Sequence, residues 1–281
     1  MILPNEEQDA AAVAGHYDEL DAAYRRIWGE HVHHGLWRTG RESPREATEA
    51  LIETVAQRLE PRGGQALCDI GCGYGGTAHY LAEHYHVAVT GLTISSAQAS
   101  VALARRASAG ALVFLERDWL ANGLAAASFD GAYAIESSEH MVDKPRFFAE
   151  AFRVLKPGGR LVVCAWLAKS DPSRSEVRHL LEPICREGRL PGMGSREEYE
   201  AMAAAAGFAL RGYEDIGRQV GRTWAICLRR VAAGLVTDRE LRRLALSRAT
   251  QNRSFLLSLP RLWWALRTGA MRYGVFTWQK P

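Results

Sequence analysis

Leu67-Cys-Asp-Ile-Gly-Cys-Gly-Tyr-Gly-Gly76 is the stretch on which the reading of this 281-residue chain turns. A short apolar run ends in Asp69 and enters a turn where Gly71, Gly73, Gly75 and Gly76 remove almost every side chain. Backbone stripped in this way is needed where something presses against it. The following segment, Thr77-Ala-His-Tyr-Leu-Ala-Glu83, has helical spacing. Strand, glycine turn and helix in succession bring a nucleotide-like ligand to the N–H groups at a helix N-terminus. Gly71, Gly73 and Gly76 also satisfy the dinucleotide fingerprint G-x-G-x-x-G, so the loop by itself leaves two ligand classes open.

Residues outside the glycines separate the two. A dinucleotide site expects a carboxylate about 20 positions on, at the end of the second strand. Here His86-Val-Ala-Val-Thr90 runs into Gly91-Leu-Thr-Ile-Ser95 without one. Asp69, two residues before the first glycine, would repel a pyrophosphate but can support a cationic ligand without phosphate. Asp69-Ile-Gly-Cys-Gly73 resembles the first motif of class I S-adenosylmethionine-dependent methyltransferases. The resemblance implies an α/β, Rossmann-like fold with a mostly parallel seven-stranded sheet flanked by helices. It implies S-adenosyl-L-methionine as cofactor, with S-adenosyl-L-homocysteine as product, and a cofactor contact for Asp69, Gly71 and Gly73. The expected layout is a single domain: N-terminal helical cap (1–45), cofactor-binding core (46–216), helical substrate lid (217–270) and last strand (271–281).

Composition agrees with one soluble globular protein. The apolar fraction is 47%, the charged fraction 24% and the net charge only +3, which gives no reason to expect nucleic acid as a partner. No run of 18 apolar residues occurs, and Met-Ile-Leu-Pro-Asn-Glu-Glu at the start has neither basic flank nor apolar segment. Cys68, Cys72, Cys164, Cys185 and Cys227 form an odd set without C-x-x-C spacing, and a reducing cytoplasm is the simplest setting for them. His31, His33 and His34 lack an acidic or thiol partner at ligand spacing, so no metal is expected.

Along the chain, His16-Tyr-Asp-Glu-Leu-Asp-Ala-Ala-Tyr24 reads as a cap helix continuing through Ile27 and Trp28, which His31-Val-His-His-Gly-Leu-Trp37 interrupts. That aromatic-glycine segment resembles the one that closes over the cofactor in small-molecule methyltransferases of the tocopherol and cyclopropane-synthase type. The resemblance implies that Tyr17 and Trp37 lie near the sulfonium, where aromatic faces attract positive charge. A helix from Ser43-Pro-Arg-Glu46 runs to about Leu59. Gly91-Leu-Thr-Ile-Ser-Ser-Ala-Gln98 is similar to the Gly-x-Thr-x-Ser-x-x-Gln variant of the same families, which implies that Thr93, Ile94 and Gln98 serve the cofactor ribose or its surroundings; a helix-capping role there is compatible. Strand Ala111–Glu116 leads into Arg117-Asp118-Trp119, where the family pattern reads adenine. Asp118 can accept from an exocyclic amine and Trp119 can cover a ring face.

The fourth strand, Phe129–Ile135, ends in Glu136-Ser-Ser-Glu-His-Met141, and ligands of open α/β sheets lie outside such strand ends. Glu139 and His140 are the candidate catalytic pair, to orient the acceptor or remove its proton. Glu-Ser-x-Glu-His-Met is close to what tocopherol methyltransferases and plant alkaloid N-methyltransferases carry, and Glu136 is assigned to the cofactor on the same resemblance. Val154-Leu-Lys-Pro-Gly-Gly159 reads as a structural turn before a fifth strand, Arg160–Trp166; Phe208–Ile216 and Met271–Trp278 are the expected sixth and seventh.

Between the last two strands lies a basic helical insertion that includes Arg218, Arg222, Arg239, Arg243, Arg248 and Arg267. Trp224, Trp263 and Trp264, with Ile226, Leu256 and Leu262, give it an apolar face. His33, Trp166, Trp224 and Trp263 are the expected substrate contacts. The arginines suit a solvated face, an anionic membrane surface or a phosphorylated substrate. The expected activity is methyl transfer to a small, mainly hydrophobic acceptor, at an aromatic or prenylated carbon or at nitrogen. A prenyl diphosphate acceptor and a non-catalytic cofactor-binding protein are the alternatives.

Overall fold

The computed structural model describes residues 1–247 and 250–281, apart from the side chains of Leu256 and Leu257; Arg248 and the Leu256 side chain therefore lie outside the described residues. In chain order, α1 (Ala10–Ile27) and α2 (Pro44–Leu59) precede β1 (Ala66–Ile70). Then come α3 (Gly76–Tyr85), β2 (Ala88–Thr93), α4 (Ser96–Leu103), β3 (Ala111–Glu116), β4 (Phe129–Ile135), α5 (Lys144–Val154) and β5 (Leu155–Ala168). A broken helical stretch follows: α6 (Arg174–Glu176), a π turn over Val177–Leu181 and α7 (Glu182–Glu187). It leads to α8 (Arg196–Ala205) and β6 (Ala209–Asp215). Four helices, α9 (Gly217–Val220), α10 (Arg222–Thr237), α11 (Arg239–Leu246) and α12 (Arg253–Thr268), then precede β7 (Met271–Gln279).

The sheet order is β3-β2-β1-β4-β5-β7-β6. β1 to β5 run parallel and β7 is antiparallel to both neighbours, so the mostly parallel seven-stranded architecture expected from the sequence is the one found. The central strands are buried on both faces, as parallel strands covered by helices must be. One apolar layer joins Leu20, Leu51, Val162, Leu259 and Tyr273 under α1, α2 and the late helices. The other packs Phe147, Phe148, Leu161, Tyr199 and Trp278 under α5 and α8.

Local chemistry explains most element ends. Ser43 and Glu46 form a reciprocal capping box with Pro44 in the first turn of α2, and Ser195 with Glu198 does the same for α8. Three elements begin more than one residue from where the sequence reading puts them. α1 begins at Ala10, six residues before His16, because Asp9 accepts from the Ala12 N–H as N-cap. β2 starts at Ala88, since His86 is the left-handed cap of α3 with φ 55°. β5 begins at Leu155, not Arg160: the Lys-Pro-Gly-Gly turn stays within the ladder through an irregularity opposite Phe129 and Gly131. Among the described residues no helix is long and apolar enough to cross a membrane.

Parallel order sets the carboxyl ends of β1, β2, β3 and β4 along one edge. α1 lies over that edge, packed on α4, α10 and α11.

Candidate active site

The first cavity at that edge encloses about 770 Å³ of open space. Gly71 and Gly73 after β1, Thr93, Ile94 and Gln98 after β2, Arg117, Asp118 and Trp119 after β3, and Glu136, Ser137 and His140 after β4 line it; Val13 and Tyr17 of α1 close it. Gly71 has φ 82°, and a Cβ there would stand 2.3 Å from Ser137 Cβ. Ser137 is itself fixed by donating its hydroxyl to the Ile70 carbonyl. Thr93 donates to Gln98 Oε1 at 2.9 Å. Ser95 caps α4 and also donates to Asp18 Oδ1 of α1 at 2.6 Å, fastening the cap helix to the rim. Asp118 accepts from the Leu120 N–H at 2.8 Å, and the Trp119 indole donates to the Phe147 carbonyl at 3.3 Å.

A second cavity, of about 460 Å³, adjoins the first. Its walls are aromatic: Tyr17, Tyr24 and Trp28 from α1, Trp166 from β5, Trp224 from α10 and Phe255 from α12, with Gly188 and Leu190 after α7. Among the described residues no lysine or arginine lines it. Tyr17, Val32, Glu136 and His140 belong to both cavities, so the two meet at these four residues.

Glu136 and His140 stand at the junction, and Glu139 beside it in the second cavity. Glu136, in the left-handed region with φ 54°, accepts four hydrogen bonds: from His34 N at 2.6 Å, His34 Nδ1 at 2.8 Å, Tyr273 Oη at 2.7 Å and Trp166 Nε1 at 3.1 Å. Burial pushes its pKa up, but the His34 ring and backbone outweigh that and hold it at about 2. Glu139 accepts from the Trp166 N–H at 2.5 Å and the Ser138 hydroxyl at 3.1 Å. Burial, with Glu136 nearby, lifts its pKa to about 7 against those hydrogen bonds. His140 Nε2 shares a 2.9 Å hydrogen bond with Tyr17 Oη, while Nδ1 has no partner of normal geometry. Burial, outweighing the pull of the Arg189 backbone, lowers its pKa to about 4, so the ring is neutral at pH 7.

Similarity to known proteins bears on what this arrangement serves. The model of the mycolic acid cyclopropane synthetase family matches residues 5–240. This chain belongs to that family. Tocopherol O-methyltransferase of Arabidopsis thaliana is 27% identical, with 96% of this chain and 82% of that protein covered. 27-O-demethylrifamycin SV methyltransferase of Amycolatopsis mediterranei is 34% identical over 74% of this chain and 77% of its own. Among solved structures, mycolic acid cyclopropane synthase CmaA1 complexed with SAH and CTAB superposes with a TM-score of 0.85 at 22% identity, covering 98% of this chain and 99% of that one. The protein is an S-adenosylmethionine-dependent methyltransferase.

The residues present fit that cofactor. The first cavity runs along four strand ends, Gly71 and Gly73 line it where a Cβ on Gly71 would strike Ser137, and Asp69 of the preceding strand is buried with Oδ2 unpartnered. Burial raises Asp69 to about 7, against the nearby Tyr133 hydroxyl, so a cation above the loop would favour its charged form. Within this methyltransferase, Gly71, Gly73, Thr93, Ile94, Gln98, Asp118, Trp119, Glu136 and Tyr17 all line the first cavity, whereas Asp69, buried in β1 two residues before Gly71, does not. Glu139, Trp166 and Trp224 line the second, and His140 lines both.

Three expected site residues lie elsewhere. Trp37 lines neither cavity: its ring fits against Gly35, its indole donates to the Glu42 carbonyl, and its N–H bonds Gln219. His33 is buried behind the junction, with Nδ1 on the His34 carbonyl at 2.8 Å and Nε2 on Thr77 Oγ1 at 3.4 Å. Trp263 faces a separate basic groove, where the Arg267 guanidinium lies over its ring at 5.5 Å. Conversely, Tyr24, Trp28, Leu190 and Phe255 line the second cavity and are not among the expected site residues. Tyr24 and Trp28, four apart on one helix, carried a readable signal; Leu190 and Phe255 carried none.

Proposed function

We propose that this methyltransferase transfers a methyl group to a hydroxyl oxygen of a small, mainly hydrophobic acceptor held in the aromatic chamber. The observation that supports this most is the junction: His140, neutral and bonded through Nε2 to Tyr17 Oη, stands with Tyr17 in the wall common to the two cavities. In the tautomer that carries its proton on Nδ1, beside the Arg189 backbone, Nε2 can take the Tyr17 hydroxyl proton while Tyr17 Oη takes that of an acceptor O–H, so the pair serves as the base. Glu136 favours the protonated ring that results. Glu139, with both oxygens occupied, holds the Trp166 backbone and acts as a positioning residue. When bound, S-adenosylmethionine supplies a methyl group already activated on sulfur. The chain's own tasks are alignment and exclusion of water, and alignment can provide about 7–11 kcal/mol of barrier reduction. A general base adds about 10²–10⁴-fold.

Oxygen is favoured over carbon or nitrogen because a hydroxyl must lose a proton, and because the tocopherol and rifamycin relatives carry O-methylation in their names. A prenyl diphosphate is less favoured, since the described residues that line the acceptor chamber include no arginine or lysine. Helices α9 to α12 serve as the lid, and action in cytoplasmic specialised metabolism completes this reading. The test is labelled methyl transfer to hydrophobic phenols, aliphatic alcohols, indoles and prenyl diphosphates. We expect methyl ethers as product and about a 10²-fold fall in turnover for His140→Ala. Product methylated only at carbon or nitrogen would overturn the oxygen assignment; no transfer at all would favour a binding role.

A further inference from the structure

Three lid arginines and Arg272 of β7 converge away from the acceptor chamber. Arg218 of α9, Arg222 at the start of α10, Arg267 in the last turn of α12 and Arg272 of β7 line an open groove. Asp215 is its only carboxylate, and it shares no lining residue with either cavity. Side chains alternate along a strand, so Arg272 points away from Tyr273, whose hydroxyl serves Glu136 inside the site.

Intramolecular partners use only part of this charge. Arg272 pairs with Asp215 at 3.2 Å and Arg222 reaches the Gly40 carbonyl. Arg267 stacks on Trp263, which leaves the edge of its guanidinium free to donate. Arg218 is exposed and has no hydrogen bond or ion pair among the described residues. A planar guanidinium matches phosphate oxygens in paired hydrogen bonds, and a groove with four arginines against one carboxylate concentrates anions.

The geometry points to a phosphate-binding groove formed by Arg218, Arg222, Arg267 and Arg272, separate from the methyl-transfer site, that takes a phosphate-bearing ligand. The phosphate comes either from a soluble metabolite or from a lipid headgroup. We would titrate the full chain with inorganic pyrophosphate at low salt, and sediment it with vesicles of phosphatidylcholine alone or mixed equally with phosphatidic acid. An Arg218→Gln/Arg267→Gln variant would be compared with Arg239→Gln/Arg243→Gln, exposed arginines outside the groove, with thermal unfolding as the check on folding. We expect saturable pyrophosphate binding, weakened about tenfold or more by the groove variant and little by the other. Sedimentation with phosphatidic acid vesicles that pyrophosphate competes away identifies a headgroup; absence of sedimentation alongside saturable pyrophosphate binding identifies a soluble ligand. Binding of neither probe, or equal loss in both variants, would overturn the proposal by reducing the arginines to diffuse surface charge.

Discussion

Replacing Glu136 by glutamine should cost this protein about 3–5 kcal/mol of stability, because one carboxylate ties together four segments. Its side chain is 7% exposed. It accepts from the backbone and ring of His34 in the cap, from Trp166 on β5 and from Tyr273 on β7. A glutamine keeps one acceptor oxygen and turns an NH₂ group toward the remaining donors. Breaking a buried charged pair from one side costs about 3–5 kcal/mol. The pKa gives a second route to the size. A fall from 4.5 to about 2, at about 1.36 kcal/mol per pH unit, corresponds to about 3 kcal/mol. Since the folded value lies below the unfolded one, this stabilisation is complete above about pH 4.5 and is lost as the pH falls toward 2. Urea unfolding followed by tryptophan fluorescence, wild type against Glu136→Gln, measures it. The difference should be about 3–5 kcal/mol at pH 7 and should narrow below pH 4.5. A difference under about 1 kcal/mol at pH 7, with unchanged m-value, would refute the tether.

Gly71→Ala forces φ 82° on an alanine and drives its Cβ into Ser137. We expect loss of S-adenosylhomocysteine binding by calorimetry and destabilisation of about 1–3 kcal/mol. Tyr17→Phe removes the hydroxyl bonded to His140 Nε2; turnover should fall about tenfold, the equivalent of about 1.4 kcal/mol, with cofactor affinity little changed. Glu139 has its folded pKa raised to about 7 by burial. Its ionisation therefore opposes folding, and wild-type stability relative to Glu139→Gln should decline as the pH rises from about 4.5 to 7.

The glycine loop, the strand ends and the polar cluster after β4 were legible because strand-end residues of a parallel sheet share one edge whatever the helices do. Thr93, Asp118 and His140 are separated by 47 positions in sequence yet line one cavity for that reason. Less regular segments gave residue types without directions. In His31–Trp37 the sequence shows aromatic and imidazole groups, but the fit of Trp37 against Gly35 turns its ring from the site. Trp263 and Trp264 are adjacent on α12, so at most one could face the chamber; Phe255 does so, and Trp264 is 50% exposed. The left-handed backbone of Glu136 had no signal at all, because glutamate rarely adopts that conformation. Without it, a carboxylate at the end of β4 reads as a cofactor contact and not as the tie between cap, β5 and β7.

The most direct test is calorimetric titration of the wild type with S-adenosylhomocysteine, with Asp118→Ala alongside. We expect micromolar binding at one site per chain, weakened at least about tenfold by the substitution at the cavity wall. No heat in the wild type up to millimolar ligand would contradict the assignment of the first cavity to the methyl donor, and with it the position given to His140 between donor and acceptor.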